Sequence, residues 1–316
     1  MKQTPILTVT LNPALDISTG VDEVAAEIKL RCDAPQVDPG GGGINVSRAI
    51  DIMGGDSTAL VALGGTTGMR MSDMLGKAEL RLLRMSAPGE TRQSLAVTDR
   101  ASGQQYRFVM PGPQWRPHNV EEALSMIADA ARAGGLVVLS GSNPPGVPPE
   151  FAAMLAARVA REGAGLIVDT SGAALHAVAG GGHQVALLRM DDTEAEDLAG
   201  RPLPGRADTA AFAASLLKAG AARAAIVARG ADGNIIASPD GCWHAEAAPV
   251  EVISKVGAGD SFVAGFTLGM ARGLDMPDAL GLGAAMASAA CMTPATELCR
   301  RGDVERLYAE RVVTRL

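Results

Sequence analysis

Aromatic residues are scarce in this chain of 316 residues, where Phe, Trp and Tyr together make up only 3%. Aliphatic and small side chains must therefore fill any core. Hydrophobic residues still reach 47%, which is normal for a globular protein. The length suffices for one large α/β domain or two smaller ones.

Cysteine is also rare, and no two cysteines form a CxxC pair. The four are Cys32, Cys242, Cys291 and Cys299. Their spacing argues against a disulfide framework and against a cysteine-based zinc site. We therefore expect reduced thiols in a cytoplasmic protein.

Long hydrophobic runs and excess positive charge are absent too. The longest apolar helix-like stretch, Ala279–Met292, is too short to span a bilayer, and Met1–Thr10 does not resemble a signal peptide. Lys and Arg number 28 against 35 Asp and Glu, giving a net charge of -7. We expect no membrane or nucleic-acid partner, and an anionic substrate would need a local basic cluster.

Short apolar runs alternate with alanine-rich helical runs, and this predicts an α/β fold. A mainly parallel central sheet with helices on both faces is the expected architecture. The predicted strands are Ile6–Leu11, Thr58–Leu63, Leu136–Ser140, Leu166–Asp169, Val185–Leu188 and Ala224–Ala228. The predicted helices are Gly43–Met53, Asn119–Ala133, Pro149–Arg161 and Ala207–Ala219. A meander (Asn234–Ala237, Cys242–Ala245) and then helices from Ala258 to the end complete the pattern.

Two polar, strand-like segments break the alternation. Ile17–Val37 and Thr91–Val109 have no following helix, and Asp99–Gly103 is a hairpin turn signal within the second. They predict a small β-sheet flap, formed by about 17–37 and 91–110, on a single domain of residues 1–316. Such a flap could cover a site as a lid, although a decorative insertion fits the pattern equally well.

The run Val256–Ser261 places a carboxylate, Asp260, behind a glycine-rich turn at the predicted start of a helix. Backbone N–H groups at a helix N-terminus bind anions, and a carboxylate there can take a proton from a hydroxyl. Phosphoryl transfer needs both parts. The alternative is that Asp260 only caps the helix.

A second glycine cluster, Gly40–Gly43, precedes Asn45 at the predicted start of another helix. Four glycines let a ligand approach the backbone closely. The cluster is neither a GxGxxG fingerprint nor a Walker motif, so it predicts neither a dehydrogenase nor a P-loop enzyme. A flexible loop is the other interpretation.

The two clusters, in this order and separation, resemble the ribokinase/PfkB carbohydrate kinase superfamily, and the resemblance covers nearly the whole chain. Further stretches are similar to its branch that phosphorylates fructose 6-phosphate. They are Thr10–Asp16, Lys29–Cys32, Thr91–Gln93, Gln105–Gly112 and Ser140–Gly146. The resemblance implies ATP-dependent phosphorylation of a phosphorylated ketohexose, with Mg²⁺ accompanying ATP and a homodimer formed through the flap.

The resemblance also implies residue roles. Asp260 would be the general base, and the N–H groups of Gly257, Ala258 and Gly259 would form an anion hole. The sugar would be held by Asp16, Gly41, Gly42, Asn45 and Ser140, and its phosphate by Lys29, Arg31 and Arg92, one of them from a neighbouring subunit in some relatives. Arg189, Asp191, Ala228, Gly230, Gly233 and Lys255 would bind the nucleotide. Glu194 and Asp169 would hold the metal indirectly, through water.

The nucleotide side departs from the family pattern. Asp191 replaces a neutral amide, Ala228 a hydroxyl and Lys255 a threonine. Thr293, Ala295 and Glu297 differ in the stretch that the family associates with a monovalent cation. An extra carboxylate repels ATP phosphates unless a cation balances it, and Lys255 or Arg229 could do so.

Three functions stay open at this point. Phosphorylation of fructose 6-phosphate is favoured, and fructose 1-phosphate or tagatose 6-phosphate are alternative acceptors. A catalytically weak sugar-phosphate-binding protein is the alternative from another class, motivated by the altered nucleotide motifs.

Overall fold

A ten-stranded sheet runs through the centre of the structure, a computed structural model that describes residues 3–294 and 297–316. Its strands, in chain order with those of a smaller sheet, are β1 (Ile6–Thr10), β2 (Ala14–Val21), β3 (Gln36–Gly40), β4 (Thr58–Leu63), β5 (Arg81–Ser86), β6 (Arg92–Asp99), β7 (Gln105–Val109), β8 (Leu136–Ser140), β9 (Gly165–Asp169), β10 (Leu187–Asp191), β11 (Ala225–Ala228), β12 (Asn234–Ser238), β13 (Gly241–Ala245) and β14 (Val313–Arg315).

The helices cover this sheet. They are α1 (Gly42–Ile52), α2 (Gly65–Lys77), α3 (Pro117–Ala130), α4 (Phe151–Arg161), α5 (Gly172–Ala179), α6 (Asp192–Ala199), α7 (Arg206–Lys218), α8 (Ala258–Ala271), α9 (Met276–Cys291) and α10 (Arg301–Ala309). Within the described ranges, none has both the length and the apolar character that a bilayer crossing demands.

The strand order of the main sheet is β14-β13-β12-β11-β10-β9-β8-β1-β4-β5. All neighbours from β11 to β5 are parallel, and β12, β13 and β14 add an antiparallel edge. Alternate side chains of one strand enter cores on opposite faces: Val137 and Leu139 pack with α3 and α4, while Val138 packs with α8 and α9. The predicted α/β fold with a mainly parallel sheet is confirmed.

Several elements escaped prediction. Edge strand β5 and helix α2 are largely exposed, so they lack the apolar pattern that identified the buried elements. The short helices α5 and α6 were also missed. The prediction of helices to the end was wrong, because β14 pairs with β13. β10 lies further along than Val185–Leu188, which places Arg189 and Asp191 on the strand itself.

The smaller sheet has the order β3-β2-β6-β7 and is the predicted flap. β6 and β7 form the expected hairpin. The other predicted segment is only partly extended, because residues 22–35 form an exposed loop between β2 and β3. β2 begins at Ala14, so Asp16 belongs to the flap.

Glycines let α8 and α9 approach closely and thereby fix the position of α8. A Cβ added at Gly265 would lie 2.8 Å from the Leu282 carbonyl oxygen and 2.8 Å from Met286 Sδ. Gly283 of α9 is packed just as closely against α8, because an added Cβ there would lie 2.9 Å from the Phe262 ring. Because the contacting groups at both glycines include rigid backbone or a buried ring, neither position has room for a side chain.

We expect Gly265→Ala to lower the free energy of unfolding by about 1–3 kcal/mol, because overpacking outweighs the better helix propensity of alanine. Gly302→Ala is the matched control, since an added Cβ there meets nothing within 4 Å. It should leave stability unchanged or raise it by up to about 1 kcal/mol. Urea unfolding measures both, and equal stability of the two variants would contradict the packing described.

Candidate active site

Four parallel strands that are neighbours in the sheet end in polar residues. The last residues of β1, β8, β9 and β10 are Thr10, Ser140, Asp169 and Asp191. Carboxyl ends of parallel strands meet at one edge of a sheet, which is where ligands bind in open α/β folds. The N-termini of α1 and α8 reach the same edge, as the contacts below show.

The glycine cluster lets α1 begin directly against this edge. A Cβ at Gly42 would overlap Ser140 Oγ, and one at Gly43 would lie 2.6 Å from Thr10 Oγ1. Thr10 Oγ1 accepts a hydrogen bond from the Ile44 N–H at 3.0 Å. The flexible-loop interpretation is therefore wrong here, since this cluster is packed and its second half is helical.

Asp260 lies in the first turn of α8, as the sequence predicted. Gly257 is the N-cap and has a left-handed backbone with φ of 79°. Among the described residues, the Asp260 carboxylate accepts no backbone N–H of this helix, so the alternative role of Asp260 as a cap is wrong. Its carboxylate instead accepts a hydrogen bond of 2.8 Å from the side-chain amide of Asn45, 215 positions earlier in the chain. The two glycine-rich helix starts thus meet through this pair.

The environment of Asp260 raises its pKa to about 7. Burial is the largest cause, and the negative charge of Asp169 adds to it. The Asn45 hydrogen bond and the positive charge of Arg189 act in the opposite direction. A carboxylate with a pKa near neutrality is suited to accept a proton at physiological pH.

Asp169, at the end of β9, is hydrogen-bonded to residues of both neighbouring strands, β8 and β10. Its Oδ2 accepts a hydrogen bond from Ser140 Oγ at 3.0 Å, and its Oδ1 accepts one from Arg189 Nη1, also at 3.0 Å. The side chains of Arg189 and Asp169 are only 16% and 13% exposed. Arg189 also lies beside the glycine turn, because a Cβ at Gly259 would be 3.4 Å from its guanidinium.

The flap contributes a second group of charges. Asp16 on β2 faces Asp38 on β3 and Ser94 on β6 in the strand register. Burial raises the pKa of Asp16, while a Ser94 hydrogen bond and the charges of Arg92 and Arg107 oppose that shift. Arg92 is held in place by a 3.2 Å hydrogen bond from its Nε to the Asn12 carbonyl oxygen.

Lys29 and Arg31 are not part of this group. Both lie in the exposed loop between β2 and β3, and within the described chain neither forms a hydrogen bond or an ion pair. Of the three basic residues expected to form one cluster, Arg92 alone acts on the pKa of Asp16, where Arg107 is the second basic residue.

Among the residues predicted to bind the nucleotide, Asp191 is the N-cap of α6. Its side chain accepts the Glu194 N–H at 2.9 Å, and the Glu194 carboxylate accepts the Asp191 N–H at 3.0 Å. Arg229 is bound to Asp232 and to the Leu203 and Pro204 carbonyls, so it does not balance Asp191. Arg189 is the cation whose charge interacts with Asp191.

The remaining residues predicted to bind the nucleotide lie at the end of β11, in the turn that follows it and before α8. Ala228 ends β11, and Gly230 and Gly233 flank a short turn with left-handed φ of 56° and 104°. Only glycine fits at position 233, because an added Cβ would collide with the Ala245 carbonyl oxygen. Lys255 is exposed just before the Gly257 turn, and its charge reaches the thiol of Cys291.

The stretch associated with a monovalent cation is partly described. The Thr293 hydroxyl donates to the Ala290 carbonyl oxygen at 2.8 Å and also contacts the Leu298 carbonyl oxygen. Glu297 pairs with Arg300 at 2.7 Å. Ala295 lies outside the described residues.

Comparison with known proteins assigns the chain to a family. The family profile of the pfkB family carbohydrate kinases matches residues 10–301. This chain belongs to the pfkB family of carbohydrate kinases. The chain is also 39% identical over 303 residues to the ATP-dependent 6-phosphofructokinase isozyme 2 of Mycobacterium tuberculosis, covering 96% of this chain and 88% of the relative.

Solved structures give the same result for this pfkB-family kinase. Escherichia coli phosphofructokinase-2 in complex with potassium superposes with a TM-score of 0.91 at 36% identity, covering 97% of this chain and 99% of that one. The same enzyme in complex with fructose-6-phosphate gives 0.89 at 35% identity with equal coverage.

Sequence reasoning assigned no role to some groups of the kinase site. Arg107 and Asp38 act electrostatically on Asp16, and Thr10 anchors the start of α1. Arg107 lies in the Gln105–Gly112 stretch that resembled the family, and that match was the signal available from the sequence. Asp38 adjoins a matched motif and Thr10 begins one, but only the flap register and the strand order bring them to the site.

A pH-dependent stability follows from Asp260. The ordinary pKa of an aspartate is 3.8 and that of Asp260 in the folded protein is about 7, so the folded state holds this proton more tightly and stability falls as pH rises between those values. We expect Asp260→Asn to be more stable than the parent at about pH 8, by at most about 4 kcal/mol, and nearly equal at about pH 4.

The control is Asp240→Asn, an exposed aspartate whose carboxylate makes no ion pair among the described residues. Its effect should stay within about 0.5 kcal/mol at both pH values. Urea unfolding at the two pH values measures all three proteins. A destabilised Asp260→Asn at the higher pH would contradict the pKa argument.

Proposed function

We propose that this kinase transfers the terminal phosphoryl group of ATP to fructose 6-phosphate, yielding ADP and fructose 1,6-bisphosphate. One observation carries the chemistry: a carboxylate with a pKa near 7 is held by Asn45 in the first turn of a helix that begins at Gly257. The relatives named above, one of which was solved with fructose-6-phosphate, support the choice of sugar.

In this mechanism, Asp260 accepts the proton of the free sugar hydroxyl while that oxygen attacks the terminal phosphorus of ATP. The new P–O bond forms as the bond to ADP breaks, and the proton stays on Asp260 until it leaves to solvent. The N–H groups of Gly257, Ala258 and Gly259 face the charge that builds on the migrating group. Asn45 orients the carboxylate.

The sugar phosphate would bind between α1 and the flap. Asp16, Gly41, Gly42, Asn45 and Ser140 are proposed to hold the hydroxyl groups. Arg92 would bind the phosphate, because a guanidinium can donate two parallel hydrogen bonds to it. Lys29 and Arg31 would complete that site from the exposed loop, either by closure of the loop or from a neighbouring subunit.

Arg189, Asp191, Ala228, Gly230, Gly233 and Lys255 are the proposed nucleotide site. The capping role of Asp191 weakens the case for a non-catalytic sugar-phosphate sensor, since its side chain already accepts a backbone N–H and lies in the field of Arg189. A neutral amide at this position could cap the helix in the same way.

Magnesium would accompany the nucleotide. Within the described residues, no group of three or more His, Cys, Asp or Glu side chains could cage a metal ion. Asp169 and Glu194 each already accept hydrogen bonds, which fits an ion held through its water ligands and the ATP phosphates. When bound, the ion supplies positive charge that neutralises those phosphates. A monovalent cation near Thr293 stays a hypothesis.

Initial rates in a coupled ADP-release assay with fructose 6-phosphate and Mg-ATP test this function. Asp260→Asn should lower kcat by about a hundred- to ten-thousand-fold, because the proton acceptor is lost. Fructose 1-phosphate and tagatose 6-phosphate, assayed alongside, should be poorer acceptors. A decrease of less than threefold would remove Asp260 from its role, and a higher kcat/KM for another sugar would reassign the substrate.

The flap is also the proposed dimer interface. Its β7 edge and neighbouring loops expose large apolar side chains that its own subunit does not cover: Ile28, Tyr106, Phe108, Val109 and Met110. A second copy of the flap is the partner that buries these residues most simply, because its surface is equally apolar.

Light scattering at micromolar concentration should give a dimer of the 32.2 kDa chain. Phe108→Asp should shift the protein toward monomer, because it places a charge in the buried interface. Met69→Asp is the control, since Met69 is similarly exposed but lies on α2, outside the flap. A monomeric parent protein, or equal behaviour of the two variants, would overturn the proposal.

A further inference from the structure

A single carboxylate joins the two proposed pockets of the site. Asp169 Oδ2 accepts the Ser140 hydroxyl, and Asp169 Oδ1 accepts the Arg189 guanidinium, each at 3.0 Å. The three residues come from β8, β9 and β10, which are neighbours in the sheet. Both oxygens of this carboxylate are therefore engaged, by different partners on different sides.

At one end of this series of hydrogen bonds, Ser140 lies against the start of α1. A Cβ at Gly42 would overlap Ser140 Oγ and would lie 2.9 Å from the Ser140 carbonyl carbon. Ser140 itself is buried. Because the backbone of Gly42 packs directly against Ser140, a sugar bound at this glycine cluster would lie next to the Ser140 hydroxyl.

The Arg189 end lies against the turn at the start of α8. Both terminal nitrogens of its guanidinium would be 3.4 Å from a Cβ at Gly259. Its Nε is buried and has no hydrogen-bond partner among the described residues. Arg189 is thus held by one strong contact to Asp169 and keeps an unused donor in a buried position beside the proposed anion hole.

We propose that Ser140, Asp169 and Arg189 form a hydrogen-bonded relay through which sugar phosphate and nucleotide strengthen each other's binding. The proposal rests on the proposed function. When Ser140 Oγ accepts a hydrogen bond from a sugar hydroxyl, its own O–H donates to Asp169. Successive hydrogen bonds of this kind polarise and strengthen one another.

An oriented Asp169 then holds the guanidinium against the 257–259 turn. The nucleotide phosphates meet an arginine that is already ordered, so less side-chain entropy is lost when they bind. Linkage requires the reverse effect to be equally large. Ser140 and Arg189 are positioning residues in this relay, because each acts on the distant ligand through Asp169.

Calorimetry without turnover tests the relay. Fructose 6-phosphate is titrated into the full chain with and without a nonhydrolysable ATP analogue and Mg²⁺, and the ratio of the two Kd values is the coupling factor. We expect a factor of at least about five for the parent protein. Ser140→Ala should reduce it below about two, and so should Arg189→Lys, because an ammonium lacks the planar fork of a guanidinium.

Ser142→Ala is the control, since Ser142 lies two residues beyond Ser140, just after β8, and its hydroxyl accepts a hydrogen bond from the Asn12 side-chain amide. It should keep the parental factor. If Ser140→Ala no longer binds the sugar, Arg189→Lys supplies the test, with thermal unfolding verifying that it folds. A parent factor near one, or the parental factor in both relay variants, would overturn the relay. A parent protein that binds no fructose 6-phosphate would instead refute the proposed function.

Discussion

The hydrogen bond between Asn45 and Asp260 is the interaction on which the site depends. It joins the first turns of α1 and α8, two helices that the chain order separates widely. Each helix can reach this point only because glycines stand at its start. Gly42 and Gly43 pack against Ser140 and Thr10, and Gly257 adopts a left-handed backbone before α8. Local backbone chemistry thus determines where the carboxylate stands.

The packing of α8 beneath the site also fixes the position of Asp260. α8 is buried along nearly its whole length and lies against α9 at a distance that admits no side chain at Gly265. Burying the charged form of Asp260 costs free energy. The packing of α8 and the rest of the core offsets that cost and holds the carboxylate in place. The raised pKa of this carboxyl is the consequence, and a carboxyl with a pKa near 7 is suited to accept a proton near neutral pH.

Much of the fold could be predicted from periodicity, because strands such as β1 and β8 are buried on both faces and read as continuous apolar runs. β5, α2 and β14 could not, since edge strands and exposed helices carry mixed patterns. The helix start at Ala258 followed from its glycine turn. The function of Asp191 as a helix cap was hidden, because α6 itself was not predicted.

The candidate site shows the same division. Asp260 and the glycine clusters stand in local motifs, so the sequence alone identified them, whereas the Ser140–Asp169–Arg189 contacts require the strand order of the folded sheet. The family resemblance grouped Lys29 and Arg31 with Arg92, but within one subunit both lie on the exposed loop between β2 and β3, whereas Arg92 lies on β6. Charge complementarity to a ligand does not determine which segment, or which subunit, supplies the charge.

A crystal structure with fructose 6-phosphate and a nonhydrolysable ATP analogue bound together tests the central claim most directly. Our account requires an Asp260 carboxylate oxygen within about 2.6–3.2 Å of the free hydroxyl that receives the phosphoryl group. A closed complex in which that hydroxyl faces another side chain, with Asp260 beyond reach even through one water molecule, would contradict the account.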